Sequence, residues 1–144
     1  MTNNLLPVLT EGISHHDPRG SLISYNDFDM RDVKRLYTIH PSSTEIVRAW
    51  QAHQYEEKWF VCLDGAFEVK VVKIDNFMEP SVDLPIYNFL LEAKRPQVLH
   101  IPGGYANGFK AISENSRLLV YSNFTVAEST SDDYRYPTDK WNLW

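Results

Sequence analysis

The sequence has very little cysteine, and this scarcity limits how the fold can be stabilised. Cys62 is the only cysteine among 144 residues, so no disulfide can form within the chain, and a lone thiol is typical of a reducing compartment. Because Cys62 lies inside the apolar run WFVCL of residues 59–63, we interpret it as a small buried hydrophobic residue.

Long apolar runs and an excess of basic charge are also missing. No stretch approaches the ~20 apolar residues that cross a bilayer, and residues 1–12 have neither the basic nor the apolar region of a signal peptide. We therefore predict a cytoplasmic protein with no membrane partner. The net charge is −5, and Lys94-Arg95 is the only notable basic cluster. The sequence thus predicts no nucleic-acid partner.

What the sequence does contain is a series of short runs rich in Val, Ile, Leu and aromatic residues, each closed by a turn signal. Nine runs at ~8–12-residue spacing predict an all-β sandwich or barrel, and 144 residues fit a single domain, 1–144. Asp64-Gly65 predicts a hairpin between two runs, and only Asp27–Asp32 and the segment after Glu128 favour a short helix. The runs are Ser21–Tyr25, Lys34–Ile39, Glu45–Gln51, Lys58–Leu63, Ala66–Lys73, Ile86–Leu91, Gln97–Ile101, Tyr105–Ile112 and Arg117–Phe124.

Two segments resemble the metal-binding signatures of cupin barrels, His-x-His with a following Glu and Gly, and Pro-x-Gly-x-x-His. The chain has Gln51-Ala52-His53 in the first segment and Pro102 to Asn107 in the second. Two of the three histidine positions hold amides, Gln51 and Asn107, which are poor ligands for a divalent transition metal. We therefore predict no metal and no cofactor, and instead a polar pocket for an organic ligand.

A more specific resemblance covers most of residues 15–140. Residues 101–109, IPGGYANGF, are similar to a motif of the dTDP-4-dehydrorhamnose 3,5-epimerase family. Residues 17–22 (DPRGSL), 34–37 (KRLY) and 48–53 (RAWQAH) resemble the related dTDP-4-keto-6-deoxyglucose 3,4-ketoisomerases. The resemblance implies a cupin-type jelly-roll barrel, a homodimer, and metal-independent action on a nucleotide-linked 4-keto-6-deoxy sugar in surface-polysaccharide synthesis.

Both activities begin when a base removes a proton beside the ketone and a donor stabilises the enolate. His53 matches the second histidine of the ketoisomerase motif, and it is the candidate base because imidazole exchanges protons near pH 7. Gln51 occupies the position of the epimerase histidine, where an amide cannot act as a base. We therefore favour 3,4-ketoisomerisation over 3,5-epimerisation, and we assign Gln51 and Asn107 to substrate binding.

The resemblance also implies cationic contacts to the substrate. Arg48 matches the arginine before the motif histidine and is the candidate anchor for the diphosphate. Arg19 matches a position that contacts ligand in some members across the dimer, and Lys58 matches a lysine near the sugar. Arg48 and His53 differ by five positions, so a regular strand would point them to opposite faces. A bulge or bend is needed for both to reach one site.

Two tyrosines are candidates for the proton donor. Tyr121 lies on the run after the Pro-Gly motif, where the epimerases place a tyrosine, provided that the preceding loop holds one extra residue. If it does not, Val120 takes that position and Tyr121 packs. Tyr37 is the alternative donor on the ketoisomerase side.

The amides at positions 51 and 107 also motivate a hypothesis of another class, a non-catalytic sugar-nucleotide binder that has lost a catalytic histidine. A third hypothesis is a metal-dependent cupin oxygenase, which a metal analysis of the purified protein tests. Proton exchange on the ligand separates an enzyme from a binder.

Overall fold

The computed structural model describes residues 5–144, which form twelve strands and one short helix. Every strand pair is antiparallel, so the all-β prediction is confirmed. The elements are β1 (Val8–Glu11), β2 (Ile13–Asp17), β3 (Gly20–Ser24), β4 (Arg35–Ile39), β5 (Val47–His53), β6 (Lys58–Asp64), β7 (Ala66–Lys73), β8 (Ile86–Glu92), β9 (Gln97–Ile101), β10 (Tyr105–Ala111), β11 (Arg117–Ser122), α1 (Val126–Thr130) and β12 (Tyr134–Arg135).

The strands form two five-stranded sheets and a separate hairpin. The first sheet has the order β1-β9-β6-β11-β4 and the second has the order β12-β5-β10-β7-β8, while β2 pairs only with β3 in the part of the chain that the structure describes. The main core lies between the two sheets, where the Phe60 ring of β6 meets the Phe109 ring of β10 edge to face at 5.7 Å. Alternate residues of β7 (Phe67, Val69 and Val71) are fully buried in this core, as expected for strands with one inward face.

The Asp64-Gly65 prediction is wrong about the hairpin but right about the turn. Strand β6 pairs with β9 and β11, whereas β7 pairs with β8 and β10, so this turn carries the chain from one sheet to the other. Gly65 has φ +69°, and a Cβ at this position would collide with the Ser116 hydroxyl. The turn therefore requires glycine both for its conformation and for space.

The predicted helix at Asp27–Asp32 is absent, and turns occupy this segment. The helix expected after Glu128 is α1, which already includes Glu128 because Thr125 begins it with a capping box. No helix within residues 5–144 is long and apolar enough to span a bilayer.

Candidate functional site

A cavity of about 450 Å³ opens between the two sheets. Its wall combines residues of β4, β6 and β11 from the first sheet with residues of β5, β10 and β12 from the second. Three cationic side chains line it, Arg48, Lys58 and Arg135, and no carboxylate within residues 5–144 does so. The chain as a whole carries a net charge of −5, so the cavity is a local concentration of positive charge.

A bulge in β5 brings Arg48 into the cavity beside Gln51. Asn107 of β10 lies opposite Gln51, and Phe109 lies opposite Arg48. The chain therefore advances two residues along β10 and three residues along β5, so β5 carries the extra residue of the bulge. This irregularity lets Arg48 and Gln51, three positions apart, line the same cavity. The expected bulge is therefore present.

A chain of hydrogen bonds runs from the cavity interior to its mouth. Lys58, which is 3% exposed, donates from Nζ to Gln51 Oε1 at 3.1 Å. Gln51 Nε2 donates to Asp133 Oδ1 at 3.1 Å, and Arg135 Nε donates to the same oxygen at 2.9 Å. Burial opposes ionisation of Asp133, but the bonds from Arg135 and Gln51 hold its pKa below the usual value. We call these four residues the outer network.

A second network lies deeper, and each of its carboxylates has several hydrogen-bond donors. Glu56, with no exposed side-chain area, accepts hydrogen bonds from Ser122 and Ser129 and an ion pair from Arg35 at 3.0 Å. Burial opposes its ionisation, but the two hydroxyl donors keep the pKa of Glu56 below the usual value. Asp132, also buried, accepts from three successive backbone N–H groups of residues 54–56 at 2.7–2.8 Å. We call these five side chains the inner network.

His53 lies where the two networks meet. Its Nδ1 is 2.7 Å from the backbone oxygen of Asp132, and because a carbonyl only accepts, Nδ1 carries the proton. The lone pair of the neutral ring is therefore on Nε2, which is buried and has no partner within residues 5–144. Burial and then the charge of Lys58 lower the pKa of His53, while Glu56, 3.4 Å from Nδ1, opposes the shift. The ring is thus a neutral potential base near pH 7, although it is not part of the cavity wall.

The structure separates the two candidate tyrosines. Tyr37 lines the cavity, with the Arg35 guanidinium 5.1 Å and the Lys58 ammonium 5.7 Å from its ring centre. Val120 of β11 also lines the cavity, so the next residue, Tyr121, points to the other face of the sheet and packs against Phe28 with ring centres 5.4 Å apart. Tyr121 is therefore not brought together with the cavity residues, because strand side chains alternate.

The other predicted binding residues differ in their placement. Asn107 is buried in the cavity wall, and its Nδ2 donates to the backbone oxygen of Gln51 at 3.4 Å. Arg19 lies at the tip of the β2–β3 hairpin, 90% exposed and paired with Asp17 at 2.6 Å, and it does not line this cavity. Within residues 5–144, no three His, Cys, Asp or Glu side chains are grouped to hold a metal ion.

Sequence reasoning missed Asp132, Asp133 and Arg135. Asp132 and Asp133 lie between α1 and β12, and Arg135 ends β12, about 80 positions after the β5 residues that this segment contacts. The segment carries no recognisable motif, and its one local signal is the helix start at Thr125. Its position against β5 is a result of tertiary pairing, since Arg135 of β12 lies opposite Gln51.

Comparisons with known proteins agree with this architecture. The chain is 27% identical over 128 residues to the probable low-salt glycan biosynthesis epimerase Agl13 of Haloferax volcanii, covering 85% of this chain and 81% of that protein. Among solved structures, the sugar 3,4-ketoisomerase QdtA of Thermoanaerobacterium thermosaccharolyticum, in complex with TDP, has a TM-score of 0.71 at 19% identity, over 94% of this chain and 91% of that one.

The rmlC epimerase of Mycobacterium tuberculosis has a TM-score of 0.75 at 16% identity, over 92% of this chain and 69% of that one. These two likenesses confirm the predicted cupin-type jelly-roll fold. Residues 8–141 match the family described as FdtA, WxcM-like, C-terminal. Because this match extends over nearly the whole sequence, the chain belongs to the FdtA family of WxcM-like proteins.

Proposed function

We propose that the protein is a cytoplasmic, metal-independent isomerase or epimerase of a dTDP-linked 4-keto-6-deoxy sugar in surface-glycan synthesis. Family membership and the glycan epimerase relative support the class of reaction. The observation that carries the proposal is a cavity lined by three cations and a tyrosine, beside a buried neutral histidine with a bare Nε2. Such a site suits an anionic substrate that loses a proton next to a ketone.

Arg48 is the proposed anchor for the diphosphate. It is exposed at the cavity mouth and has no hydrogen bond or ion pair to any residue within 5–144. All five of its N–H donors are therefore free for a phosphate, which a guanidinium binds in a bidentate manner.

His53 is the proposed base, and Tyr37 the proposed donor to the enolate. The Tyr37 hydroxyl makes no hydrogen bond within residues 5–144, and the two cations at its ring favour negative charge at this end of the cavity. Lys58 supplies a second donor to the developing oxyanion. Because Nε2 is covered in this structure, substrate binding has to open a path between the cavity and His53.

We favour 3,4-ketoisomerisation over 3,5-epimerisation. Gln51 points its Oε1 at Lys58 and its Nε2 at Asp133, so both ends of the amide are engaged and neither can accept the substrate's proton. This leaves His53 as the one imidazole beside the cavity within the described residues, and one base is enough to move a proton between neighbouring carbons.

A second candidate function is a non-catalytic binder of the same sugar nucleotide. The observation in its favour is that His53 does not line the cavity, while the position that faces it holds Gln51. A binder needs the cations but not the lone pair on Nε2.

A homodimer is part of the proposal. The β2–β3 hairpin pairs with no other strand among residues 5–144, and it exposes Ile13, Leu22 and Ile23 by 49–62%. A second copy that covers these side chains would place the hairpin-tip Arg19 against the partner. Size-exclusion chromatography with light scattering tests this, and a monomer would contradict it.

The enzyme is tested by proton NMR of dTDP-4-keto-6-deoxyglucose with the protein in D₂O. We expect exchange at C3 with a new keto signal, slowed by about 10²- to 10⁴-fold in His53→Gln, because the base is removed while its volume is kept. The control is His100→Gln, a half-buried histidine paired with Glu57 away from the cavity. Exchange at C3 and C5 would indicate an epimerase. Equal exchange in His53→Gln would show that His53 is not the base, and binding without exchange would leave only the binder.

A further inference from the structure

Arg135 shares the cavity mouth with Arg48, although no motif marks it. Strand β12 pairs with β5, which places Arg135 opposite Gln51, and both arginines line the cavity from these neighbouring strands. The two guanidinium groups therefore belong to one opening.

The hydrogen bonds of Arg135 leave most of its donors free. Only Nε is engaged, with Asp133 Oδ1 at 2.9 Å, and the two terminal nitrogens have no partner within residues 5–144. Arg35 contrasts with it, because its Nε donates to Phe124 O and its Nη2 to Glu56. Asp133 thus holds the guanidinium of Arg135 at Nε, while its two terminal nitrogens stay available for a ligand.

The cavity carries more positive charge than is required to bind a single phosphoryl group. Arg48, Lys58 and Arg135 line the cavity without any carboxylate from residues 5–144 in its wall, and the Asp133 carboxylate beside Arg135 already accepts from Gln51 and Arg135 on the same oxygen. Each guanidinium fork matches one phosphoryl group, so two forks at one opening match two linked phosphoryl groups.

We propose that Arg135 is a second diphosphate-binding residue, which acts together with Arg48 and makes the site select nucleoside diphosphates over monophosphates. This inference rests on the proposed function, because it assumes that the anion in the cavity is the diphosphate of a nucleotide sugar. Asp133 is the positioning residue that orients Arg135.

The test is isothermal titration of the full chain with dTDP and with dTMP, for wild type and Arg135→Gln. We expect Arg135→Gln to weaken dTDP binding by about 10- to 100-fold, since charge-assisted bonds to one phosphoryl group are lost, and to reduce the preference for dTDP over dTMP. The matched control is Arg117→Gln, which removes another arginine held through Nε by an aspartate, Asp64 at 2.8 Å, and lies outside the cavity wall. Unchanged dTDP affinity in Arg135→Gln would overturn the proposal.

Asp133→Asn distinguishes a direct contact from a positioning effect on Gln51. If Arg135 only holds Asp133 in place, the asparagine variant loses dTDP affinity as strongly as Arg135→Gln, which would overturn the proposal. If Arg135 binds the diphosphate, Asp133→Asn retains or improves the affinity, because the asparagine Oδ1 can still accept from Arg135 Nε and orient the guanidinium, while a negative charge is removed from the mouth.

Inorganic pyrophosphate separates this inference from the proposed function. If wild type binds pyrophosphate but not dTDP, and Arg135→Gln loses that binding, then diphosphate binding by Arg135 is supported, while the proposal of a thymidine nucleotide as ligand is wrong. If wild type binds neither probe, both proposals are overturned.

Discussion

The inner and outer networks differ in how completely their charges are satisfied. In the inner network, the Glu56 carboxylate has an arginine and two hydroxyl partners, and the Asp132 carboxylate has three backbone donors. In the outer network, the Asp133 carboxylate accepts from Gln51 and Arg135, Lys58 donates only to the neutral Gln51 amide, and the side chain of nearby Arg48 has no hydrogen-bond or ion-pair partner within residues 5–144. A closed network fixes a structure, whereas an open one still has capacity for a ligand.

His53 shows how one side chain serves both networks. Its Nδ1 is bound to the backbone of Asp132 in the inner network, so the ring cannot rotate freely, and its Nε2 remains unpaired next to the outer network. A structural histidine would satisfy both nitrogens. The difference between the two nitrogens is what identifies this ring as a candidate base.

The largest contrast between the networks is expected in stability. Glu56→Ala removes the carboxylate shared by Arg35, the buried Ser122 hydroxyl and the half-buried Ser129 hydroxyl, and we expect it to lower the free energy of unfolding by about 3–5 kcal/mol. Asp133→Ala removes a partly exposed pair, with side chains 31% and 68% exposed, and should cost less than about 1 kcal/mol. Urea denaturation followed by fluorescence measures both losses. Equal losses would contradict the view that the inner network stabilises the fold more than the outer network does.

A second contrast concerns the two tyrosines. We expect Tyr37→Phe to slow exchange of the substrate's α-proton by about 10²-fold, because a donor to the enolate is lost. Tyr121→Phe should leave the rate unchanged, since this ring packs against Phe28 on the other face of the sheet. The measurement is the exchange rate in D₂O at saturating substrate, and a slow Tyr121→Phe with a normal Tyr37→Phe would reverse the assignment.

The smallest effect is expected in the pH dependence of stability. Because the pKa of His53 is lowered in the folded protein, there is a pH range in which His53 is protonated in the unfolded chain but neutral in the native protein. The free energy of unfolding should therefore decline as pH falls below about 6.5, the ordinary histidine value, towards the lower native pKa. Urea denaturation between pH 5 and pH 7.5 measures the slope, and His53→Gln should flatten it. An identical slope in the variant would mean that His53 does not contribute.

The sequence was sufficient to predict the class of fold. Alternating runs and turn signals located nine of the strands, because strand parity and short-range spacing can be read from the sequence. Four residues that the family resemblance implied for substrate binding, Arg48, Gln51, Lys58 and Asn107, line one cavity, whereas Arg19 does not, and their role in binding stays a prediction.

Other features depend on long-range pairing, which spacing alone does not reveal. The structure puts Val120 of β11, rather than Tyr121, into the cavity. Which of the two faces inward depends on the length of the loop before β11 relative to that of the family, and the spacing within one sequence does not reveal this. The burial of His53 behind the cavity wall and the arrival of Asp133 and Arg135 from the end of the chain are tertiary effects. The Asp64-Gly65 turn signal was correct locally, but local chemistry does not determine which sheet the next strand joins.

The three backbone bonds to the Asp132 carboxylate also have a consequence for synthesis of the chain. They join residues that are 76–78 positions apart in sequence, so during synthesis these bonds form only after residue 132 has left the ribosome. Until then, the N–H groups of Gln54, Tyr55 and Glu56 lack these acceptors. Closing a loop of this length costs conformational entropy before the contact is made, so these bonds are expected to form later than the short turns between neighbouring strands.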